Sequence, residues 1–340
     1  QLFRKAGKFT RARPARGAKR EMRDEAKRLK QDARRMEKHA IEQVLDESKV
    51  VCATITFDED MLGDRHFDLV VIDEACQSTE PGCWIPIKRG ERLVLAGDHC
   101  QLPPTVLSKK AAGEGFAVSM MERLVKEHGD GISRRLDVQY RMNTDIMQFS
   151  SEQFYDGGLI ADDSVATHLL KDLPTVDENL LTQTPVTFID SAGAGWDENL
   201  EENGLSKMNP FEATLIVKKA TELIEAGLRP ADIAVIAPYA AQVRLIRDQC
   251  RFRDLEIDTV DGFQGREKEA VLISLVRSNA EGEIGFLADA RRMNVALTRA
   301  RRKLIVIGDS ATMSFSPFFA DMFKWFETIG AYGTVWEEES

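Results

Sequence analysis

Cysteine, histidine and long apolar runs are what this sequence has least of, and each shortage removes a class of function. The five cysteines (Cys52, Cys76, Cys83, Cys100, Cys250) are odd in number, scattered and never spaced as C-x-x-C. That pattern excludes a disulfide framework, offers no zinc-ligand spacing and fits a reducing compartment. The five histidines (His39, His66, His99, His128, His168) stand alone, except that His99 adjoins Cys100, and adjacent residues do not converge on one metal. No transition-metal site is expected. No stretch of eighteen apolar residues occurs, and the N-terminus is rich in Lys and Arg without the apolar segment of a signal peptide. The expectation is a chain with no membrane partner, in the cytoplasm or the nucleus.

What is present is enough for two globular domains: 340 residues, 43% hydrophobic and 30% charged. The net charge of −10 is unevenly spread, with 15 Lys/Arg against 5 Asp/Glu in residues 1–38 on an otherwise acidic body. An acidic body argues against a protein that coats DNA by charge alone. The basic arm is either a solvated helix or tail, or a means of releasing counterions from phosphates and positioning a nucleic-acid backbone.

Residues 18–49 carry alternating charges with Ala, Leu and Met and no Gly or Pro, which predicts one long exposed helix. Then VVCATIT (50–56), DLVVIDE (68–74) and RLVLAGD (92–98) read as parallel strands buried on both faces, with RRLDV (134–138) as a fourth and a helix near 142–154. After a loop-rich stretch the pattern restarts: VTFID (186–190), a helix over 211–226 closed by Gly227, IAVIA (233–237), a helix over 240–252, LEIDTV (255–260), AVLISLV (270–276) and LIVIG (304–308). Alternation of this kind predicts a second doubly wound α/β domain. Segment 193–210 is polar and Gly-rich and reads as a surface loop. The aromatic stretch after residue 310 reads as a closing helix packed into the core.

The strongest chemical signal is Val70-Val71-Ile72-Asp73-Glu74, an apolar strand delivering two adjacent carboxylates at its carboxyl end, where open α/β sheets bind ligands. In phosphoryl transfer an Asp placed there holds Mg²⁺ and a following Glu activates the attacking water. An acidic strand end that caps the next helix would look the same. The following strand runs into Gly97-Asp98-His99-Cys100-Gln101-Leu102-Pro103-Pro104, which sets a neutral amide on a stiff loop beside those carboxylates. A plain Pro-stiffened turn accounts for everything there but Gln101. Three arginine-bearing segments follow, around Arg141, Arg266 and Arg299. Taken singly each Arg suits a surface ion pair, and taken together they suit charge stabilisation on a transferring phosphoryl group.

The ordered set VVIDEACQ, LAGDHCQLPP, VQYRM, APYAAQ, TVDGFQGREKEAV and NVALTRAR resembles motifs II to VI of the superfamily 1 helicases, in the Upf-one-like branch, and within it the immunoglobulin-mu-binding (Smubp-type) helicases. The resemblance implies an α/β fold of two RecA-like doubly wound parallel-sheet domains, the first incomplete. A basic, stalk-like helical insertion would occupy 1–49, the back part of the first domain 50–180 and the second domain 181–340. It implies an ATP-dependent helicase or single-strand translocase, moving 5′ to 3′ as its domains close on ATP. Asp73 would coordinate Mg²⁺, Glu74 activate water and Gln101 sense the terminal phosphate, with Arg141 and Arg299 as arginine fingers. Tyr140 would stack on adenine, and Gln264, Gly265 and Glu267 would meet ribose and phosphates. Thr54, Pro103, Tyr239, Thr259 and Thr298 would face a single strand of DNA or RNA.

One departure matters. The phosphate-binding loop G-x-x-x-x-G-K-[ST] is missing: the sole Gly-Lys pair, Gly7-Lys8, is followed by Phe9 and preceded by no strand. The first expectation is therefore that the loop belongs to an upstream part of the same protein, leaving the isolated chain without activity. The second is that a partner chain supplies it. The third is a non-catalytic binding module derived from a helicase. Another phosphate-loop ATPase would share the Asp-Glu pair, but not QYRM and VALTRAR together.

Overall fold

A computed structural model describes residues 18–201 and 204–338. Within the basic segment 1–49, residues 1–17, with the Gly7-Lys8 pair, lie outside the described residues. The chain divides into two compact units, 1–71 with 81–94, and 72–80 with 95–340.

The first unit carries helix α1 (Ala18–Glu47). Its sequence favours helix residue by residue, with exposed i,i+4 pairs such as Arg20–Asp24 and Lys38–Glu42. Among its residues only Ala26 is buried, so its face is solvated, as its composition predicts. The expected strand over 50–56 does not form. Residues 50–54 have no regular structure and 55–56 form a turn, closed by the Phe57 amide donating to the Thr54 carbonyl at 3.0 Å, and Val50 is exposed. Strand β1 (Val70–Ile72) does form, as does β2 (Leu93–Leu95), separated by helix α2 (Glu80–Ile87). In this unit the Val70 amide donates to the Arg92 carbonyl. Leu69, Val71, Leu93 and Val94 are all exposed, and because successive strand side chains point to opposite faces, apolar surface is left open on both sides of β2.

The second unit begins with the ends of those strands and continues through α3 (Met120–His128), β3 (Val138–Gln139), α4 (Thr144–Phe154) and β4 (Ile160–Ala161). The expected strand at 134–138 shrinks to the β3–β4 pair, and Leu136 is left in solvent. Next come β5 (Val186–Asp190), the hairpin β6 (Asn199–Leu200) and β7 (Lys207–Met208) inside the expected loop, and α5 (Pro210–Glu225). The remainder is β8 (Ile233–Ala237), α6 (Ala240–Gln249), β9 (Glu256–Thr259), β10 (Lys268–Ser274), α7 (Ala290–Leu297), β11 (Ala300–Gly308), α8 (Pro317–Thr328) and β12 (Tyr332–Thr334).

Six strands form one parallel sheet in the order β12-β5-β11-β10-β8-β9. Alternate strand residues feed two cores, as side chains of period two must. Phe188, Ile236, Val271, Ile273, Leu304 and Val306 pack with α4, α7 and α8, while Ile189, Val235, Leu272, Ile305 and Ile307 pack with α5 and α6. Helices on both faces of a parallel sheet make this a doubly wound α/β fold. The closing helix is core, with Phe188 stacked on Phe323 and Phe326 at ring-centre distances of 4.8 and 5.0 Å. No described helix is long and apolar enough to cross a membrane.

Candidate active site

Every residue of this site belongs to the second unit. Asp73 and Glu74 leave the end of β1 on an exposed corner, where Glu74 adopts a left-handed conformation with φ 50°. A non-glycine residue in that region costs about 1–3 kcal/mol, so neighbours must hold it. They do: the Ala75 amide donates to the Ala96 carbonyl at 2.8 Å, and the Gln77 amide side chain donates to Glu74 Oε2 at 2.6 Å. Gly97 lets the two strand ends meet, because a Cβ there would lie 3.1–3.3 Å from Ala75 N, Cys76 N and Cys76 Sγ. The two carboxylates therefore sit beside the loop that carries Gln101.

That loop is held by a network. Asp98 Oδ2 accepts from Gln101 Nε2 at 2.8 Å and from the Tyr155 hydroxyl at 2.5 Å, and its Oδ1 accepts from Cys100 N at 2.9 Å. Asn294, on α7, donates Nδ2 to the Cys100 carbonyl at 2.9 Å and to the Tyr155 oxygen at 3.0 Å. Burial, and then the Asp98 charge, hold the Tyr155 phenol far above its ordinary range, so it remains a donor. Asp98, His99 and Cys100 have ligand atoms close together. The Asp98 oxygens already accept these bonds and Cys100 Sγ donates to the Phe154 carbonyl at 3.2 Å.

Gln101 Oε1 accepts in turn from Arg299 Nη2 at 3.4 Å. Arg299 is 2% exposed, and its other bonds go to Val295 O, Arg266 O and Thr298 Oγ1. Among the described residues no carboxylate pairs with it. Burial, followed by repulsion from Arg141, lowers its pKa to about 10, with Tyr155, Glu74 and Glu267 offsetting part of the effect. Arg141 is set by a turn that Gln139 braces: Gln139 Oε1 accepts from Arg141 N and Met142 N at 2.8 and 2.7 Å. The Arg141 guanidinium bonds Glu267 through Nε and the Thr298 carbonyl through Nη1, the latter at 3.1 Å. Tyr140, on the same turn, is 66% exposed.

Gln264 and Gly265 lie between β9 and β10. Gln264 Nε2 is buried with no hydrogen-bond partner among the described residues, and Gly265 has φ +78° with open space where a Cβ would stand. An orphaned buried amide is a place where a bound group is expected. The structure thus gathers Glu74, Gln101, Arg141, Arg299 and Glu267, with Asp73, Tyr140, Gln264 and Gly265 around them.

Within the second unit the expected strand-facing residues do not share one place. Thr54 is exposed in the first unit. Pro103 is half-buried on the Gln101 loop. Thr298 is buried at the arginines, its hydroxyl donating to the Asn294 carbonyl at 2.7 Å. Tyr239 and Thr259 come together instead at the carboxyl ends of β8 and β9, lining a cavity of about 360 Å³. Sequence reasoning passed over Asp98, Tyr155 and Asn294. Asp98 and Asn294 lie within quoted motifs and could have been found, whereas Tyr155 carries no local signal.

Comparison with known proteins gives consistent kinships. A family model described as an AAA domain matches residues 116–311, and a second of the same description matches residues 4–109. DNA-binding protein SMUBP-2 of Mesocricetus auratus is 48% identical over 93% of this chain and 33% of its own length. DNA polymerase alpha-associated DNA helicase A of Schizosaccharomyces pombe is 43% identical over 88% of this chain and 46% of its own length. A regulator of nonsense transcripts 1 homolog of Neurospora crassa is 40% identical over 83% of this chain and 26% of its own length. The chain therefore spans less than half the length of these curated relatives.

Proposed function

The chain belongs to the AAA domain family, in the Upf-one-like branch of the superfamily 1 helicases, and from that premise we propose that it supplies the ATP-hydrolysing and ATP-sensing residues of a single-strand DNA or RNA translocase. The observation that carries the proposal is Arg299: a buried guanidinium with no carboxylate partner among the described residues, beside a second cation and an amide side chain. A permanently charged group in that setting calls for an anion, and a triphosphate supplies one.

In this reading Glu74 orients the attacking water and takes its proton. Gln101, fixed by Asp98, donates to the same water or to the terminal phosphate. Arg299 and Arg141 hold the charge that spreads over the transferring phosphoryl oxygens. Tyr140 offers its exposed ring to adenine, Gln264 fills its empty hydrogen bond on the nucleotide, and Gly265 and Glu267 border the same place. Asp73 would hold Mg²⁺: Oδ1 is engaged by the Glu74 amide at 3.0 Å, which leaves Oδ2 and solvent as the oxygen-rich donor set that this ion prefers. When bound, the ion would neutralise phosphate charge.

The cradle for those phosphates would come from an upstream part of the same protein or from a partner chain, and the exposed apolar side chains of β1 and β2 are where such a segment would pack. Movement would run 5′ to 3′, with Thr54, Pro103, Tyr239 and Thr259 as candidates for strand contact, in the cytoplasm or nucleus and without a membrane partner. The domain limits proposed with this function are 1–49, 50–180 and 181–340.

The test is ATP hydrolysis with and without single-stranded DNA or RNA, by this chain and by a longer protein that includes a phosphate-binding loop. Strand-stimulated hydrolysis confined to the longer protein is expected. Hydrolysis by this chain alone would refute the need for a supplied loop, and silence in both would favour a non-catalytic binding module.

A further inference from the structure

The cavity at the carboxyl ends of β8 and β9 is built around an exposed aromatic ring on a fixed backbone. Phe286 is 57% exposed. Its amide donates to the Tyr239 hydroxyl at 3.4 Å and its carbonyl accepts from Arg292 Nη1 at 3.0 Å. Its ring lies 5.4 Å from the Tyr239 ring at an interplanar angle of 60°, and the Arg292 guanidinium sits 5.7 Å from its centre. Tyr239 is itself pinned by Arg277, whose Nη1 donates to the hydroxyl at 3.2 Å. Gly285 permits this approach: at φ +59° a Cβ would fall 2.1 Å from the Tyr239 hydroxyl and 2.3 Å from Arg277 Nη1. The outer face of the ring is therefore presented rather than left over.

The surroundings define the chemistry. The cavity is lined by Leu205, Tyr239, Thr259, Asp261, Phe286 and Arg292, an apolar floor with one guanidinium at its edge that pairs with the Asp261 carboxylate at 3.7 Å. The N-terminus of α6, at Ala240, opens on the same space and favours a negative group. A planar apolar face beside a helix N-terminus matches a nucleotide of a single strand, with the base on the ring and the phosphate toward the α6 amides. A buried protein side chain would use the floor but not the helix N-terminus.

We infer that this cavity seats one unstacked nucleobase of the bound strand, with Phe286 as its stacking platform. The inference rests on the nucleic-acid part of the function proposed above and adds a residue and a binding mode to it.

The test compares binding of a 12-nucleotide thymidine strand with binding of an abasic sugar-phosphate strand of equal length, by fluorescence anisotropy with the whole chain. Stacking of one base on an aromatic ring predicts that Phe286→Ala weakens the thymidine strand on the order of ten-fold. The abasic strand should change less than about two-fold, and Phe286→Trp should restore the thymidine strand. Because the ring is exposed, its removal leaves no core cavity to confuse the result. Equal loss on both strands would overturn the stacking role. No loss on either, with wild type still binding, would take the strand elsewhere and leave this face to a protein partner. If the wild-type chain binds neither strand, the proposed function itself fails, and the inference with it.

Discussion

Removing one oxygen from Tyr155 tests the network that holds Gln101. The hydroxyl donates to Asp98 Oδ2 at 2.5 Å and accepts from Asn294 Nδ2 at 3.0 Å. Tyr155→Phe keeps the ring and deletes both bonds. Asp98 then loses a charge-assisted donor, while Asn294 keeps its second acceptor, the Cys100 carbonyl. A hydrogen bond to a charged group contributes about 1.5–3 kcal/mol, and the ring is half-buried, which places the loss near the lower end, about 1.5 kcal/mol. Urea unfolding of wild type, Tyr155→Phe, Asp98→Asn and the double variant measures it as a cycle. The cost of Tyr155→Phe should shrink by at least ~0.5 kcal/mol when Asp98 is already Asn. An equal cost in both backgrounds, or a single-variant cost below ~0.5 kcal/mol, would refute the claim that this bond fixes the loop.

Three further outcomes follow from the same structure. In a hydrolysis-competent longer protein, Glu74→Gln should abolish turnover and spare ATP binding, since only the base is removed; retained turnover would withdraw its role. Arg299→Ala should slow hydrolysis by orders of magnitude with little change in single-strand affinity, and an unaltered rate would dismiss it as a finger. Lys303 is wholly buried on β11, its ammonium nitrogen held by Thr184 O, Thr184 Oγ1 and Thr187 Oγ1, and burial, with Lys219 adding repulsion, lowers its pKa from 10.5 to about 7. Between those values the unfolded chain binds a proton that the folded chain does not, so stability rises with pH by up to ~1.4 kcal/mol per pH unit. The stability of wild type minus that of Lys303→Met should therefore climb by roughly 2 kcal/mol from pH 7 to pH 9 in denaturant titrations, and a flat difference would show that Lys303 is not held neutral.

The second sheet was legible because its strands are apolar on both faces and are bounded by polar or glycine turns: VTFID and IAVIA form as the sequence predicts, residue for residue. The run at 50–56 has the same propensity and no strand, because a strand exists only through a neighbour's hydrogen bonds. Propensity speaks for one segment, whereas pairing is a fact about two. The site divides along the same line. Glu74, Gln101, Arg141 and Arg299 announce themselves within short motifs, each with its own local pattern. The bonds that make them a site do not, since Asn294 reaches Tyr155 across 139 residues and Arg299 reaches Gln101 across 198. Thr298 shows the limit most plainly, for its motif neighbours suggest a surface role while its side chain is buried between the α7 backbone and the Arg299 guanidinium.

Four buried cations of the second unit show why Arg299 stands apart. Arg277 is 3% exposed and bonds Glu198 at 2.6 Å; Lys219 is 7% exposed and bonds Glu222 at 2.9 Å as well as Glu338. Each of these has its countercharge inside the fold. Lys303 has none, but an amine can release its proton, and its pKa of about 7 reflects that escape. Arg299 has neither remedy: no carboxylate pairs with it among the described residues, and a pKa of about 10 still leaves it charged near neutrality. Its guanidinium is held instead by carbonyl, hydroxyl and amide oxygens, which orient a cation without neutralising it. A fold that holds one cation this way, with Arg141 near enough to repel it, has prepared a place for a charge of opposite sign.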